Sequence, residues 1–328
     1  GVTYTGRTLA HADGSVSFDW IGVYAQTDFT GGTIAVDMSS TRPCYFNVFI
    51  DGEWTQKIFA DSLSQQLFLL AEKLGNGTHR LRLQRACEGN GITTIHGFYG
   101  AKGARLKAVE RKSRMIEIFG DSYSTFEGYL TPSTNEPWYY WPGSPARTEG
   151  NDVCHPAQTW WWQVVRRLGA RLETNNSYSG STIGYTGYVI PETGKHDDYK
   201  PRSFITRLPD LGNPDLILIC AGTNDSWDGE EIGEYKYEGW TETDLYTFRP
   251  AMAKFCSELK RLYPDKQVLF IINSELKPDF VESMKVIMER YGVEWLQLKN
   301  IDKQYGHPSV KGMRAFADQG CDYLQNMR

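Results

Sequence analysis

The hydrophobic pattern of this chain changes period near residue 110, and no single layer of structure accommodates both halves. Before that point, short alternating stretches are broken by glycine and polar turns: Ser15–Trp20, Thr33–Met38, Tyr45–Ile50, Gln66–Leu70, His79–Gln84 and Thr93–Gly97. Apolar residues two apart, as in Phe46, Val48 and Ile50, turn one face of a strand towards a core. Asp51-Gly52 and Asn76-Gly77 are hairpin signals. Many short strands so spaced predict an all-β, jelly-roll-like sandwich over residues 1–110. His11, His79 and His96 lie in this half and read as polar strand or turn residues.

After the change, nearly continuous apolar strands alternate with helical patterns. Strands are predicted at Arg114–Phe119, Arg171–Thr174, Asp215–Cys220, Gln267–Ile272 and Glu294–Leu298. Helices are predicted at Gln158–Leu168, Phe248–Leu262, Phe280–Tyr291 and Pro308–Leu324. Phe248, Met252, Phe255, Leu259 and Leu262 recur on one helical face, and Pro264 stops that helix. Trp160, Val164 and Leu168 line another such face, so Trp160 to Trp162 read as core. Apolar strands separated by helices imply a parallel sheet covered on both faces over residues 111–328. Ligands in that architecture bind at the carboxyl ends of the strands. Two insert-like stretches, 127–156 and 184–209, leave such ends and are expected to overhang a site.

Composition narrows the partners. With 35 Lys and Arg against 40 Asp and Glu, the formal net charge is -5, and no basic cluster marks a nucleic-acid footprint. No run approaches the ~20 apolar residues of a membrane span. Cys44, Cys87, Cys154, Cys220, Cys256 and Cys321 show no C-x-x-C spacing, so no metal site is expected. Cys220 and Cys256 read as small buried hydrophobes. Cys44 and Cys87 share a region and are open to pairing. The start, Gly1-Val2-Thr3-Tyr4, lacks both an initiator Met and a signal-peptide pattern, which leaves room for an export signal already removed.

Chemistry concentrates in three segments. The apolar run Met115 to Phe119 ends in Gly120-Asp121-Ser122, as a strand does when it delivers a hydroxyl to its carboxyl end. Leu216 to Cys220 is followed by Gly222-Thr223-Asn224-Asp225, and His307-Pro308-Ser309 opens the last helical pattern. A serine hydroxyl needs a base during attack, and His307 alone among the six histidines combines a loop position with a helix start. Pro308 suits the first helical position. An oxyanion needs donors aimed at it in advance. The Ser122 and Gly180 backbone N–H groups and the Asn224 amide are the candidates.

These segments, with the Gly180 loop, resemble the ordered blocks of the SGNH (GDSL-like) hydrolase superfamily over roughly residues 114–328. The resemblance implies a flavodoxin-like three-layer α/β/α domain in which Ser122 is nucleophile, His307 is base, and Ser122, Gly180 and Asn224 form the oxyanion hole. The family usually carries an aspartate three residues before the histidine, where this chain has Gln304. Asp302, five residues before, is the nearest carboxylate. Either it orients His307 or a backbone carbonyl does, leaving a dyad. A small β-sandwich before such a domain is similar to carbohydrate esterase family 2, whose members remove acetyl groups from xylan and related polysaccharides. That resemblance implies an acetylated poly- or oligosaccharide substrate, no cofactor, and a secreted or periplasmic location. Trp138, Tyr140, Trp141 and Trp227 are the candidates for stacking on sugar. A short-chain lipid or small-molecule esterase, and a carbohydrate-binding protein without activity, remain the alternatives.

Overall fold

The computed structural model describes residues 1–60, 63–86, 91–125, 158–190, 192–196, 200–304 and 306–326. The first third forms two antiparallel sheets. One runs Thr3–Thr5, Tyr24–Thr30, Thr78–Arg85, Cys44–Ile50, Glu53–Ala60, with Leu106–Ala108 also pairing Tyr24–Thr30. The other runs Leu9–Ala10, Val16–Phe18, Thr93–Gly100, Ile34–Ser40, Gln66–Ala71. Asp51 and Gly52 both take positive φ, 54° and 93°, as a two-residue hairpin turn requires. Asn76-Gly77 behaves otherwise. The strands on either side of it lie in different sheets, so it serves a crossing between layers and not a hairpin.

The remainder winds around a five-stranded parallel sheet in the order Arg171–Ser177, Met115–Gly120, Leu216–Cys220, Gln267–Ile272, Trp295–Gln297. This is the flavodoxin-like order, and its winding reverses beside Met115–Gly120. Strand alternation separates the two faces. Ile116, Ile118, Leu216 and Leu218 join one core with Trp160, Met313 and Phe316. Phe119, Ile217, Ile219 and Phe270 join another with Phe248, Phe255 and Met284. Helices Trp160–Arg167 and Val310–Asn326 cover the first face, and Phe248–Leu262 and Pro278–Tyr291 the second. The fold is α/β with a β-rich amino-terminal part. No helix among the described residues is long and apolar enough to cross a membrane.

Three consecutive tryptophans fasten the two parts. Trp160 stacks on Phe316, centroids 4.2 Å apart and planes within 3°. Trp161 lies against Gly22 of the sandwich, where a Cβ would sit 2.7 Å from the indole. Trp162 meets Tyr24 edge-on at 5.9 Å. All three are buried, and the sandwich core runs without a break into the first face of the sheet. Cys220 and Cys256 are buried as expected. The Cys44–Cys87 pairing involves Cys87, which lies outside the described residues.

Strand Met115–Gly120 carries one carboxyl into the core. Glu117, an interior position of that strand, is fully buried, and Gly212 N donates to it at 3.4 Å. Burial raises its carboxyl from 4.5 to about 8, against the pull of Arg7. A carboxyl whose folded value is raised favours the protonated fold. Below the ordinary value it makes no difference to stability, and between about 4.5 and about 8 stability is progressively lost. Glu117→Gln is therefore expected to match wild type in Tm near pH 4.5. It should exceed wild type increasingly towards pH 8, by on the order of a few kcal/mol. Thermal melts across that range check this, and a pH-independent difference would refute it.

Candidate active site

Strand register brings the sequence-predicted residues to one edge. Gly120 is the register partner of both Ser177 and Cys220, and neighbouring strands lie about 4.8 Å apart. Ser122, Gly180 and Asn224 each follow that row by two to four residues, so their loops leave side by side. The edge coincides with the reversal of winding, where this architecture opens a crevice.

A tight turn presents Ser122. Ser124 N donates to the Asp121 carbonyl at 3.0 Å, Tyr123 N to Asp121 Oδ1 at 3.0 Å, and Thr125 Oγ1 to the Ser122 carbonyl at 3.0 Å. Asp121 is fully buried and Ser122 is 3% exposed. The Ser122 Oγ stands 2.9 Å from His307 Nε2 across 185 positions of sequence, an ordinary hydrogen-bond distance.

His307 arrives on a hairpin, Lys303–Gln304 against His307–Pro308, just ahead of helix Val310–Asn326. The expectation of Pro308 at the first helical position is corrected. Pro308 is in the strand, and Ser309 precedes the helix, its Oγ accepting from Gly312 N at 3.0 Å. A serine oxygen at the cap satisfies an amide that proline, with a ring in place of a polar side chain, leaves open. The Ser309 hydroxyl also donates to Asp302 Oδ2, and Ser309 N donates to the Asp302 carbonyl at 3.0 Å. The described bond of the Asp302 carboxylate thus runs to the helix cap, and this contact gives no support to its orienting the imidazole. Rings flank His307 on two sides: Tyr123 with centroids at 5.5 Å and Trp227 at 5.9 Å. Trp227 is 38% exposed and stands beside the serine–histidine pair.

Gly180 takes φ +76°, and a Cβ there would lie 2.5 Å from the Tyr188 ring, so this position excludes any other residue on both counts. The Asn224 amide, in the short helix Thr223–Trp227, donates to the Ser181 carbonyl at 2.8 Å. Asp225 Oδ1 accepts from Ile183 N at 2.9 Å, and Thr186 Oγ1 donates to Glu230 Oε1 at 2.5 Å. One short helix and its continuation therefore hold the Gly180 loop at three points. Burial raises Asp225 to about 6 and Glu230 well above 4.5, and the neighbouring Asp225 charge raises Glu230 further.

Two residues beyond the sequence candidates complete the scaffold. The Tyr123 hydroxyl donates to the Gly306 carbonyl, and its own carbonyl accepts from Trp160 Nε1 at 2.9 Å, which ties the serine turn to the histidine hairpin. Tyr123 adjoins Ser122, so its place in the motif was a signal. Arg207 is buried, donating to the Asn176 carbonyl at 2.6 Å, Asn176 Oδ1 at 2.8 Å, the Gly120 carbonyl at 3.2 Å and the Arg202 carbonyl at 2.7 Å. Burial lowers it to about 9, so it stays a cation at neutral pH, clamping two strand ends. Nothing in its local sequence marks it. Trp138, Tyr140 and Trp141 lie outside the described residues.

Both parts of the chain are similar to known proteins. Residues 114–324 match the GDSL-like Lipase/Acylhydrolase family and residues 4–109 the Carbohydrate esterase 2 N-terminal family. An acetylxylan esterase / glucomannan deacetylase from Cellvibrio japonicus (strain Ueda107) is 27% identical over 340 residues, 96% of this chain and 86% of that one. A GDSL-like lipase structure from Bacteroides ovatus is 46% identical, with TM-score 0.56, covering 65% of this chain and 99% of its own. A family two carbohydrate esterase from Clostridium thermocellum, in complex with cellohexaose, shares the fold at TM-score 0.72 and 18% identity over 99% of this chain and 98% of that one. On the extent of the first match, the chain belongs to the GDSL-like lipase/acylhydrolase family.

Proposed function

We propose that this protein is a serine esterase that removes acetyl groups from carbohydrate, with acetylated xylan as the model substrate. The observation that carries the reading is the 2.9 Å approach of Ser122 Oγ to His307 Nε2. The Cellvibrio relative, an acetylxylan esterase / glucomannan deacetylase, supplies the substrate class. We assign residues 1–110 to the sandwich and 111–328 to the catalytic domain. A polymeric substrate favours a secreted or periplasmic location.

In this mechanism His307 takes the Ser122 proton as Oγ attacks the acetyl carbonyl. The oxyanion is received by the backbone N–H groups of Ser122 and Gly180 and by the Asn224 amide. An amide nitrogen carries two hydrogens, so the bond to Ser181 leaves one for the substrate. His307 then protonates the departing sugar hydroxyl, and water, deprotonated by the same imidazole, releases acetate from the acyl-serine. The ring of Trp227 offers an apolar face for the sugar beside the ester. Trp138 and Trp141 are assigned the same task from sequence alone.

Asp302 acts in this scheme through Ser309, fixing the helix cap and with it the histidine hairpin. Asp302→Asn should leave kcat/KM for p-nitrophenyl acetate within about tenfold of wild type, whereas losing an orienting carboxylate costs on the order of 10⁴-fold. A loss of the larger size would restore Asp302 to the triad. Ser122→Ala should abolish acetate release from acetylated xylan by at least about 10³-fold with Tm unchanged, and equal rates would remove Ser122 as nucleophile. Asn224→Ala should lower kcat by about 10²–10³-fold with little change in KM. In a chain-length series of nitrophenyl esters, acetyl should be preferred. Activity rising towards octanoyl would favour a lipid substrate instead.

A further inference from the structure

A cleft of about 330 Å³ lies between the sandwich and the parallel sheet. It opens at the amino ends of Met115–Gly120 and Arg171–Ser177, so the length of a six-residue strand, roughly 20 Å, separates it from the Ser122 edge. Its walls carry Arg80 and Arg82 from the sandwich, Arg111 and Lys112 from the connection, and Arg166 and Arg171 from the α/β side. Glu110 is the one acid among the described lining residues. This concentration occurs in a chain whose acids outnumber its bases.

Four of the six cations have no carboxylate partner among the described residues. Asp28 takes Arg80 through two bonds of 2.7 and 2.9 Å, and Glu173 stands 3.7 Å from Arg171. Among the described residues no carboxylate lies within 4.0 Å of Arg82, Arg111, Lys112 or Arg166. Six cations set against Asp28, Glu173 and Glu110 leave a surplus of three. Arg82 is held in place before any ligand arrives. Its guanidinium lies over the rings of Tyr24, Phe49 and Trp162 at 5.3, 5.5 and 5.2 Å, and the Gln26 amide, turned so that its oxygen faces the donors, accepts from Nε and Nη2 at 3.0 and 3.2 Å. Of the five N–H donors of a guanidinium, Gln26 occupies two. Like charges gathered in a concavity repel one another and raise the local concentration of anions.

We propose that this interdomain cleft binds the carboxylate of an acidic sugar, a uronate unit, at a place separate from the ester-cleaving edge. Planar guanidinium forks match the two oxygens of a carboxylate. The volume, close to the lower bound of roughly 300 Å³ for small-molecule sites, suits a sugar ring rather than a bare inorganic ion. Thr5 and Gln26 add polar groups to the wall for ring hydroxyls. That the anion is a sugar acid rests on the carbohydrate-esterase reading, whereas the anion preference rests on the charges alone.

Glucuronic acid, xylose and inorganic phosphate are titrated against the full chain by calorimetry, with wild type beside the triple variant Arg111→Gln/Lys112→Gln/Arg166→Gln. These three side chains are exposed, so the fold tolerates the change, and Arg111→Lys/Arg166→Lys serves as the charge-keeping control. Glucuronic acid should bind wild type and the lysine control. Its affinity should fall at least about tenfold in the triple variant and severalfold between low and physiological salt, and xylose should bind far more weakly. Hydrolysis of p-nitrophenyl acetate should be the same in all three proteins, because the cleft lies far from Ser122. Glucuronic acid binding that ignores the triple substitution, or xylose binding as tightly, overturns the proposal. Phosphate binding more tightly than glucuronic acid overturns the sugar and leaves an inorganic-anion site. Absence of esterase activity with glucuronic acid binding intact would sink the functional reading and spare the cleft.

Discussion

Three of the four residues proposed to carry the chemistry, Ser122, Gly180 and Asn224, are placed by the register of three parallel strands at Gly120. Because Gly120 pairs with both Ser177 and Cys220, the loops bearing Ser122, Gly180 and Asn224 begin from one row. A slip of one residue in either pairing would send the following side chains to the other face. Arg207 guards that row directly, since its guanidinium binds the carbonyls of Gly120 and Asn176 on adjacent strands. A charge so deeply buried is costly to place. It is tolerated here because four carbonyl or amide oxygens receive it. The clamp spends polar bonds on geometry, a few ångströms from where geometry decides reactivity.

The sequence was most informative where one physical rule acted alone. The strands of the parallel sheet are buried on both faces, so their apolar runs stood out, and Gln267–Ile272 and the helix Phe248–Leu262 fall where periodicity placed them. In the sandwich, Tyr24–Thr30 and Glu53–Ala60 escaped notice. Tyr24–Thr30 alternates buried positions with Gln26 and Asp28, whose Asp28 is answered by Arg80 on the neighbouring strand. Glu53–Ala60 is a sheet edge with exposed polar positions, which weakens the apolar signal. Asn76-Gly77 misled for a related reason: turn chemistry is local, but which sheet the next strand joins is a long-range decision.

The site shows the same division. Ser122 and His307, proposed as nucleophile and base, were legible because those roles have few chemical substitutes, and the fold brings the two within 2.9 Å. What orients His307 was open in the sequence between Asp302 and a backbone carbonyl. The Asp302 carboxylate accepts from the Ser309 hydroxyl at the cap of the final helix. Tyr123 and Arg207 act through bonds to backbone atoms of distant segments, and no spacing rule announces such bonds.

The row of Trp160, Trp161 and Trp162 has a consequence for how the molecule can move. One ring is committed to the α/β core and the next two to the sandwich. Swinging the two bodies apart would draw at least one indole into water, at about 4 kcal/mol or more for its buried area. The joint is a rivet and not a hinge. Under the proposed function, adjustment to differently decorated substrates then falls to side chains and loops at the rim, because the frame that carries them resists the clamshell motion by which many two-part enzymes adjust their grip.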